Sequence, residues 1–266
     1  MNPMPSDAEL GEFYSAYTRG DRVEVRAGVG SRRPGLRRAY HRFSGDVDPR
    51  DFLKIPDGAR VLDYGSGGGT YLAYFDARGV DIVGAEISDV LLEASSRAGL
   101  NVRRVDSFDN IPFSDRSFDI VYLMQVFEHV RSPRRFMEEL SRVLKPGGEL
   151  HLAVPNAASF WRRVFGRHWV SGWFAPFHLA HYTAASLAQL GAVYGLQMSS
   201  TWSRTPESWF RLNLKAALYS DDNEIEYRRS RLIDSAPMKL ILTGLLRVCE
   251  TFVRERDCLV VSFVKD

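Results

Sequence analysis

Val61-Leu62-Asp63-Tyr64-Gly65-Ser66-Gly67-Gly68-Gly69-Thr70 joins a short apolar run to a glycine loop through one acidic residue. The run reads as a buried strand and the loop as the turn into a helix, and this unit decides how the rest of the chain is read. Glycine serves such a turn in two ways: it tolerates positive φ, and its missing Cβ lets backbone N–H groups come close to a ligand. A dinucleotide G-x-G-x-x-G spacing does not fit, because the third position is Thr70 counting from Gly65 and Leu72 counting from Gly67. The chain instead offers Asp63-x-Gly65-x-Gly67-x-Gly69, with the acid at the carboxyl end of the strand, where open α/β sheets bind ligands. An acid there repels a pyrophosphate and suits an ammonium group or hydroxyls.

Outward from the loop the pattern is regular. A helix over residues 70–78 leads to a second apolar run, residues 81–86, and a helix over 89–97 leads to a third, residues 101–105. Such alternation predicts βαβ units and a parallel sheet. Glu86 ends the second strand, at the place where these folds put a carboxylate for ribose hydroxyls; as an acid beside Ser88 it also suits the start of the next helix. Asp106-Ser107 ends the third strand, where the carboxylate can accept from an adenine amino group or simply be a turn acid. Residues 118–124 form the fourth strand, followed by Gln125-Val126-Phe127-Glu128-His129-Val130. A helix over 133–144 then runs into Lys145-Pro146-Gly147-Gly148, a stop that feeds a fifth strand over 149–155.

Residues 111–121 (Ile-Pro-Phe-Ser-Asp-Arg-Ser-Phe-Asp-Ile-Val), Glu128-His129-Val130 and Leu144-Lys145-Pro146-Gly147-Gly148, in this order and spacing after the glycine loop, resemble the motifs of the class I S-adenosylmethionine-dependent methyltransferases. The resemblance covers residues 60–156. It implies a Rossmann-like, doubly wound, mostly parallel seven-stranded sheet with an antiparallel last strand, and S-adenosylmethionine as cofactor. Carried onto this chain, the cofactor-binding set is Asp63, Gly65, Ser66, Gly67, Gly69, Glu86, Ile87, Asp106, Ser107 and Gln125. Residues 165–183 look like the segment after strand five in a broad bacterial branch of this superfamily, which often reads Pro-Arg-His-Leu; here Phe177 replaces the arginine, which implies a more apolar acceptor site.

Strand six is expected over residues 197–202 and a closing strand from Cys258. The superfamily joins its last two strands by a short link, whereas about 55 residues separate them here, far beyond an ordinary hairpin loop. Residues 209–219 and 238–254 are helical by periodicity and flank the charged run 221–231, so the organisation reads as an N-terminal helical and basic arm (1–50), a core (51–202), a helical insertion on the acceptor side (203–257) and a closing strand (258–266). Within the arm, residues 7–17 suit a short helix whose aromatics suit packing, while the resemblance, through the N-terminal segment that closes over the cofactor in related methyltransferases, implies a contact from Tyr14, Tyr17 or Tyr40. Between Arg19 and Arg42 the arm carries eight arginines against Asp21 and Glu24, a solvated arm or a surface for an anionic substrate or membrane.

A net charge of +2 argues against wholesale nucleic-acid binding, and 26% charged and 45% hydrophobic residues are those of a globular chain. Cys249 and Cys258 lack metal-ligand spacing and suit buried free thiols in a reducing cytoplasm, the expected location; no signal peptide or bilayer-spanning run is evident. The apolar, basic-flanked residues 238–247 suit a packed helix or a peripheral membrane contact.

Positioning a nucleophile in line with a sulfonium does most of the work of methyl transfer, and a base near neutral pKa removes the nucleophile's proton. His129, just beyond strand four, is the candidate base by location, although the Glu-His pair also suits an orienting role. His178 and His181, three apart, can share a helical face as metal ligands, but no Cys, Asp or Glu nearby in sequence completes a set. No metal is therefore expected, and the two histidines are alternative bases in a lid whose Trp161, Trp169, Trp173 and Phe174 suit either an acceptor-stacking wall or core. His41, His151 and His168 have no partner that singles them out. The function expected is methylation of a small-molecule, glycan- or lipid-linked acceptor, at oxygen. The alternatives are quinone-type C-methylation, or cofactor binding without turnover. A nucleic-acid acceptor is disfavoured because Gln125-Val126-Phe127-Glu128 stands where an Asn-Pro-Pro-Tyr-like signature would be.

Overall fold

The computed structural model describes residues 43–108, 110–219 and 232–266. The expected helix at 7–17, the arginine-rich stretch, Tyr14, Tyr17, Tyr40, His41 and the charged run 221–231 lie outside them. In chain order the described elements are α1 (Pro49–Phe52), β1 (Arg60–Tyr64), α2 (Thr70–Asp76), β2 (Asp81–Glu86), α3 (Asp89–Arg97), β3 (Val102–Arg104), β4 (Phe118–Met124) and α4 (Pro133–Val143). They continue with β5 (Leu144–Pro155), α5 (Phe160–Phe165), α6 (Val170–Trp173), α7 (Ala184–Val193), β6 (Leu196–Arg204), α8 (Glu207–Leu218), α9 (Ala236–Glu250) and β7 (Cys258–Lys265).

The strands form one seven-stranded sheet in the order β3-β2-β1-β4-β5-β7-β6. Pairs from β3 through β5 are parallel, while β7 runs antiparallel to both β5 and β6 and lies between them. Helices cover the sheet because its central strands are apolar on both faces: Leu62, Val121, Leu123, Leu150 and Val261 pack with α4 and Phe127 on one side, and Val61, Ile82, Ile120 and Tyr122 pack with Leu72 and Phe75 of α2 on the other. Such burial contributes about 1.5–3 kcal/mol per large side chain.

The Pro-Gly-Gly stretch is not the expected stop ahead of a strand. Helix α4 ends at Val143, and Leu144 already pairs with Phe118, so Lys145 to Gly148 form an irregularity inside β5 before Glu149 pairs with Ile120. Lys145 Nζ reaches Asp119 Oδ2 at 2.7 Å and pins this bulge to β4. Gly148 is needed there because an added Cβ would lie 2.9 Å from the Lys145 carbonyl oxygen. Upstream, Arg142 of α4 fixes the 111–115 turn: its guanidinium donates to the Ile111 and Phe113 carbonyls at 2.9 Å and to Asp115 at 2.6 Å, while Glu139 accepts from Ile111 N at 2.8 Å.

In the expected insertion, α8 and α9 occupy the two helical stretches with ends shifted by up to four residues, since Pro206 and Ser235 precede their first turns. Helix α8 packs on the segment after β5: Phe210 meets Trp161 at 4.8 Å between ring centroids, and Asn213 Oδ1 accepts from Ser171 N at 2.9 Å. Cys258 is buried as expected, but Cys249 is exposed, because it lies on the outer side of α9.

Candidate active site

The site begins at the carboxyl end of β1. Asp63 lies between Gly84 of β2 and Tyr122 of β4, is 2% exposed, and its Oδ2 has no hydrogen-bond partner. Burial raises its carboxyl to about 7; the Tyr122 hydroxyl opposes the rise and the Glu86 charge adds to it. A buried acid with an unanswered oxygen is primed for a cationic or hydroxyl-bearing ligand.

Beyond Asp63 the chain turns through Gly65, Gly67 and Gly69, at φ 77°, 54° and 73°. The three glycines do different work. A Cβ at Gly65 would strike Val126 Cγ2 at 2.4 Å and one at Gly69 would strike Leu100 Cδ1 at 2.5 Å, whereas one at Gly67 meets nothing within 4 Å. Gly67 thus borders open space, as a cradle for a bound molecule requires. Gly65 N and Ser66 N donate to the Ala85 carbonyl, and Ser66 Oγ is buried without a partner. Gly69 caps the N-terminus of α2.

Glu86, buried at the end of β2, accepts from Gly67 N through Oε2 and from Ile87 N and Ser88 N through Oε1, each at 2.8 Å. Ser88 is the cap of α3, so the helix-start reading of Glu86 is realised, and the same carboxylate also holds the glycine loop. Ile87 beside it is 48% exposed. Asp106, past the end of β3, has a side chain 82% exposed and accepts from Arg104 Nε at 2.7 Å; Arg104 also pairs with Asp89. Ser107 is exposed. Gln125 has φ 57°, donates from its backbone to Ala153 O, and sets its Nε2 3.4 Å from Cys258 Sγ. Asp63, Ser66, Gly67, Glu86 and Gln125 therefore lie along one end of the sheet, with Asp106 toward its β3 edge.

The three residues after Val126 form a short 3-10 turn, Phe127–His129. His129 Nδ1 lies 2.9 Å from Phe177 O; burial lowers its pKa, against the Phe177 and Gln125 carbonyls. Residues 177–181 are not helical, contrary to the shared-face expectation for His178 and His181, because Leu179 N and Ala180 N donate instead to the Glu128 carbonyl. His178 is thereby turned onto His129, with ring centroids 4.8 Å apart, while His181 packs on Trp173 at 5.0 Å. Burial pushes His178 down to about 4, and its Nδ1 lies 2.8 Å from Gly172 O.

Glu128 is what the sequence reading undervalued. It is 1% exposed, neither carboxylate oxygen has a hydrogen-bond partner, and burial raises it to about 8. In sequence it looks like a turn residue beside His129; only the fold brings His178 to it. Of the aromatic wall, Trp169 is core, with Nε1 donating to Asp257 at 2.8 Å, and Trp161 is buried against α8; Trp173 and Phe174 remain partly exposed. His151 is tied to Ser262 and Glu149, away from this end.

Residues 31–201 match a family model described as a methyltransferase domain. A ubiquinone biosynthesis O-methyltransferase of Maricaulis maris is 30% identical over 125 residues, covering 44% of this chain and 49% of the relative. A demethylmenaquinone methyltransferase of Clavibacter sepedonicus is 38% identical over 97 residues, covering 35% of this chain and 40% of the relative, so the chain spans about half the length, or less, of these curated relatives. A crystal structure of an S-adenosylmethionine-dependent methyltransferase from Archaeoglobus fulgidus superposes with TM-score 0.58 at 16% identity, covering 95% of this chain and all of that one, which is likeness of fold. The buried unanswered Asp63 and the open face of Gly67 suit the cofactor such proteins use. The chain belongs to the methyltransferase domain family, on a fold like that of the S-adenosylmethionine-dependent methyltransferase from Archaeoglobus fulgidus.

Proposed function

We propose that the protein moves a methyl group from S-adenosylmethionine to an oxygen of a small-molecule, glycan- or lipid-linked acceptor. The cofactor supplies an activated methyl on a sulfonium. Asp63 would take its amino group, Gly65 to Gly69 its amino acid portion, Glu86 its ribose, and Ile87, Asp106 and Ser107 its adenine, with Gln125 closing the site toward the acceptor. The observation that carries the choice of oxygen is the pair of imidazoles, His129 and His178, both shifted by burial toward the neutral form at the end of β4. A neutral imidazole is a proton acceptor, and a hydroxyl nucleophile must shed its proton. His129, oriented by the Phe177 carbonyl, is the base on this reading.

The exposed apolar side chains of α9, Leu240, Ile241, Leu245 and Val248, together with Phe252 just beyond it, favour an acceptor met at a lipid surface. The name of the Clavibacter relative points the same way and keeps quinone-type C-methylation as the second reading. No helix among the described residues is long and apolar enough to cross a membrane. Incubation with cofactor carrying a carbon-13 methyl and fractionated extract tests both readings. A product resonance in the methoxy region supports O-transfer, one in the C-methyl region replaces it with the second reading, and absence of transfer despite cofactor binding leaves a binding protein.

A further inference from the structure

Glu128, His129 and His178 each bring one ligand atom to a common point, all within 4.8 Å of one another. Two of them sit on the turn after β4 and the third comes from the loop before α7. We propose that these three residues form a binding site for a divalent transition-metal ion, beside but separate from the cofactor cradle.

Three observations carry this. The Glu128 side chain is buried with both oxygens unpartnered. A buried carboxylate in that state is costly, and an unpartnered group of this kind in a folded protein calls for an occupant. His178 Nε2 approaches Glu128 Oε1 only to 3.9 Å, too far for a hydrogen bond, so the imidazole does not discharge the carboxylate. The second observation is orientation. The Nδ1 atoms of His129 and His178 lie on backbone carbonyls, Phe177 O at 2.9 Å and Gly172 O at 2.8 Å. For His178 that is the arrangement by which metal-ligating histidines are held, the carbonyl fixing the Nδ1–H tautomer and leaving Nε2, the atom that faces Glu128, as the ligand atom. The third is composition. Two imidazoles and one carboxylate are the donor set of zinc and of non-haem iron sites that keep open positions, and are unsuited to calcium or magnesium, which take oxygen donors.

The reach is right as well. Zinc bonds of about 2.1 Å in a tetrahedron put donors about 3.4 Å apart, so the site closes by roughly 0.5–1.5 Å on binding, within the range of side-chain rotation. An open coordination position at the end of β4 would hold an acceptor oxygen and favour its ionised form. That consequence rests on the proposed O-methylation and passes to the ion the deprotonating role given above to His129; the binding of the ion rests on neither.

The test uses the full chain, stripped with chelator and titrated with zinc chloride by calorimetry, with S-adenosylmethionine titrated separately to report folding. Wild type is expected to bind one zinc per chain. Glu128→Gln and His178→Gln are expected to weaken zinc more than ~100-fold, beyond the 10–100-fold that losing an outer-shell partner costs, and to keep cofactor binding. His168→Gln, whose ring meets Arg167 instead, keeps zinc affinity. Should Glu128→Gln fail to fold, His178→Gln carries the comparison alone. A wild type that takes no zinc, or equal zinc affinity in the folded Glu128 or His178 variants, overturns the proposal and leaves His129 as the base. Loss of methyl transfer to any acceptor with zinc binding intact would instead overturn the reading of function.

Discussion

Alanine at Gly65 and at Gly67 separates two roles that a glycine loop otherwise blurs. Both residues have positive φ, 77° and 54°, so both substitutions bear the left-handed penalty of about 1–2 kcal/mol. At Gly65 the new methyl also lies 2.4 Å from Val126 Cγ2, an overlap that adds about 1–3 kcal/mol. Gly65→Ala should therefore lose about 3 kcal/mol in all, a fall in Tm of roughly 6–12 °C for a chain of this size. At Gly67 the methyl meets nothing within 4 Å, and the residue keeps the N–H that donates to Glu86. Gly67→Ala should then lose only the backbone contribution, yet place a methyl in the proposed cradle and weaken S-adenosylmethionine by roughly 5–150-fold, as about 1–3 kcal/mol of overlap requires. Scanning calorimetry reads the first effect and isothermal titration the second. Wild-type cofactor affinity in Gly67→Ala would refute the cradle, and equal loss of stability in the two variants would refute the Val126 contact.

Asp63 predicts a pH dependence. Its carboxyl is raised from 3.8 to about 7, so between those values the folded chain holds a proton that the unfolded chain has released; stability falls as pH rises through that window, and urea unfolding at about pH 5 and pH 8 should show a smaller fall in Asp63→Asn. Affinity for the cofactor's ammonium group should rise over the same interval in wild type and stay flat in Asp63→Asn. Arg142→Ala removes five hydrogen bonds, three to the turn at 111–115 and two to Glu139, and should lower stability by about 2–3 kcal/mol, read as the urea midpoint. Leu245→Asp with Val248→Asp, both exposed on α9, should leave Tm nearly unchanged and abolish co-sedimentation with anionic phospholipid vesicles; a wild type that never sediments removes the lipid-surface reading.

What could be read in the sequence follows the reach of local signals. Strands β1, β2 and β4 and helix α3 begin and end where the apolar runs and caps place them, because each is bounded by a glycine turn, an acid or a proline within a few residues. Lys145 to Gly148 misled because proline and two glycines usually break an element, while here the Asp119 carboxylate, 26 positions earlier, holds them in the sheet. The positions expected to face a cofactor were legible for the same local reason: Asp63 and Glu86 lie at the ends of β1 and β2, and Asp106 and Gln125 just past those of β3 and β4. The acceptor half was not. Whether Glu128 is a turn acid or a ligand depends on His178, 50 positions later, and His178 reaches it only because Leu179 and Ala180 spend their N–H groups on the Glu128 carbonyl rather than on a helix.

Glu86 shows how the two kinds of information meet. A carboxylate has about four acceptor sites, and three of Glu86's are taken by Gly67, Ile87 and Ser88 N–H groups. One remains, enough on the proposed reading for a single ribose hydroxyl. Accepting a second would require sharing or releasing the Gly67 bond, the one that joins the end of β2 to the open face of the glycine loop. Ile87 and Ser88, by contrast, are chain neighbours fixed by the start of α3 and have no reason to yield. The carboxylate thus does two things at once: it holds the loop shaped before any ligand arrives, and it concentrates whatever adjustment binding demands on Gly67, the loop glycine at which a Cβ would meet no neighbouring atom. Preorganisation at the end of β2 and compliance at one peptide is an arrangement suited to the proposed cofactor, which must be gripped, used and exchanged for its product.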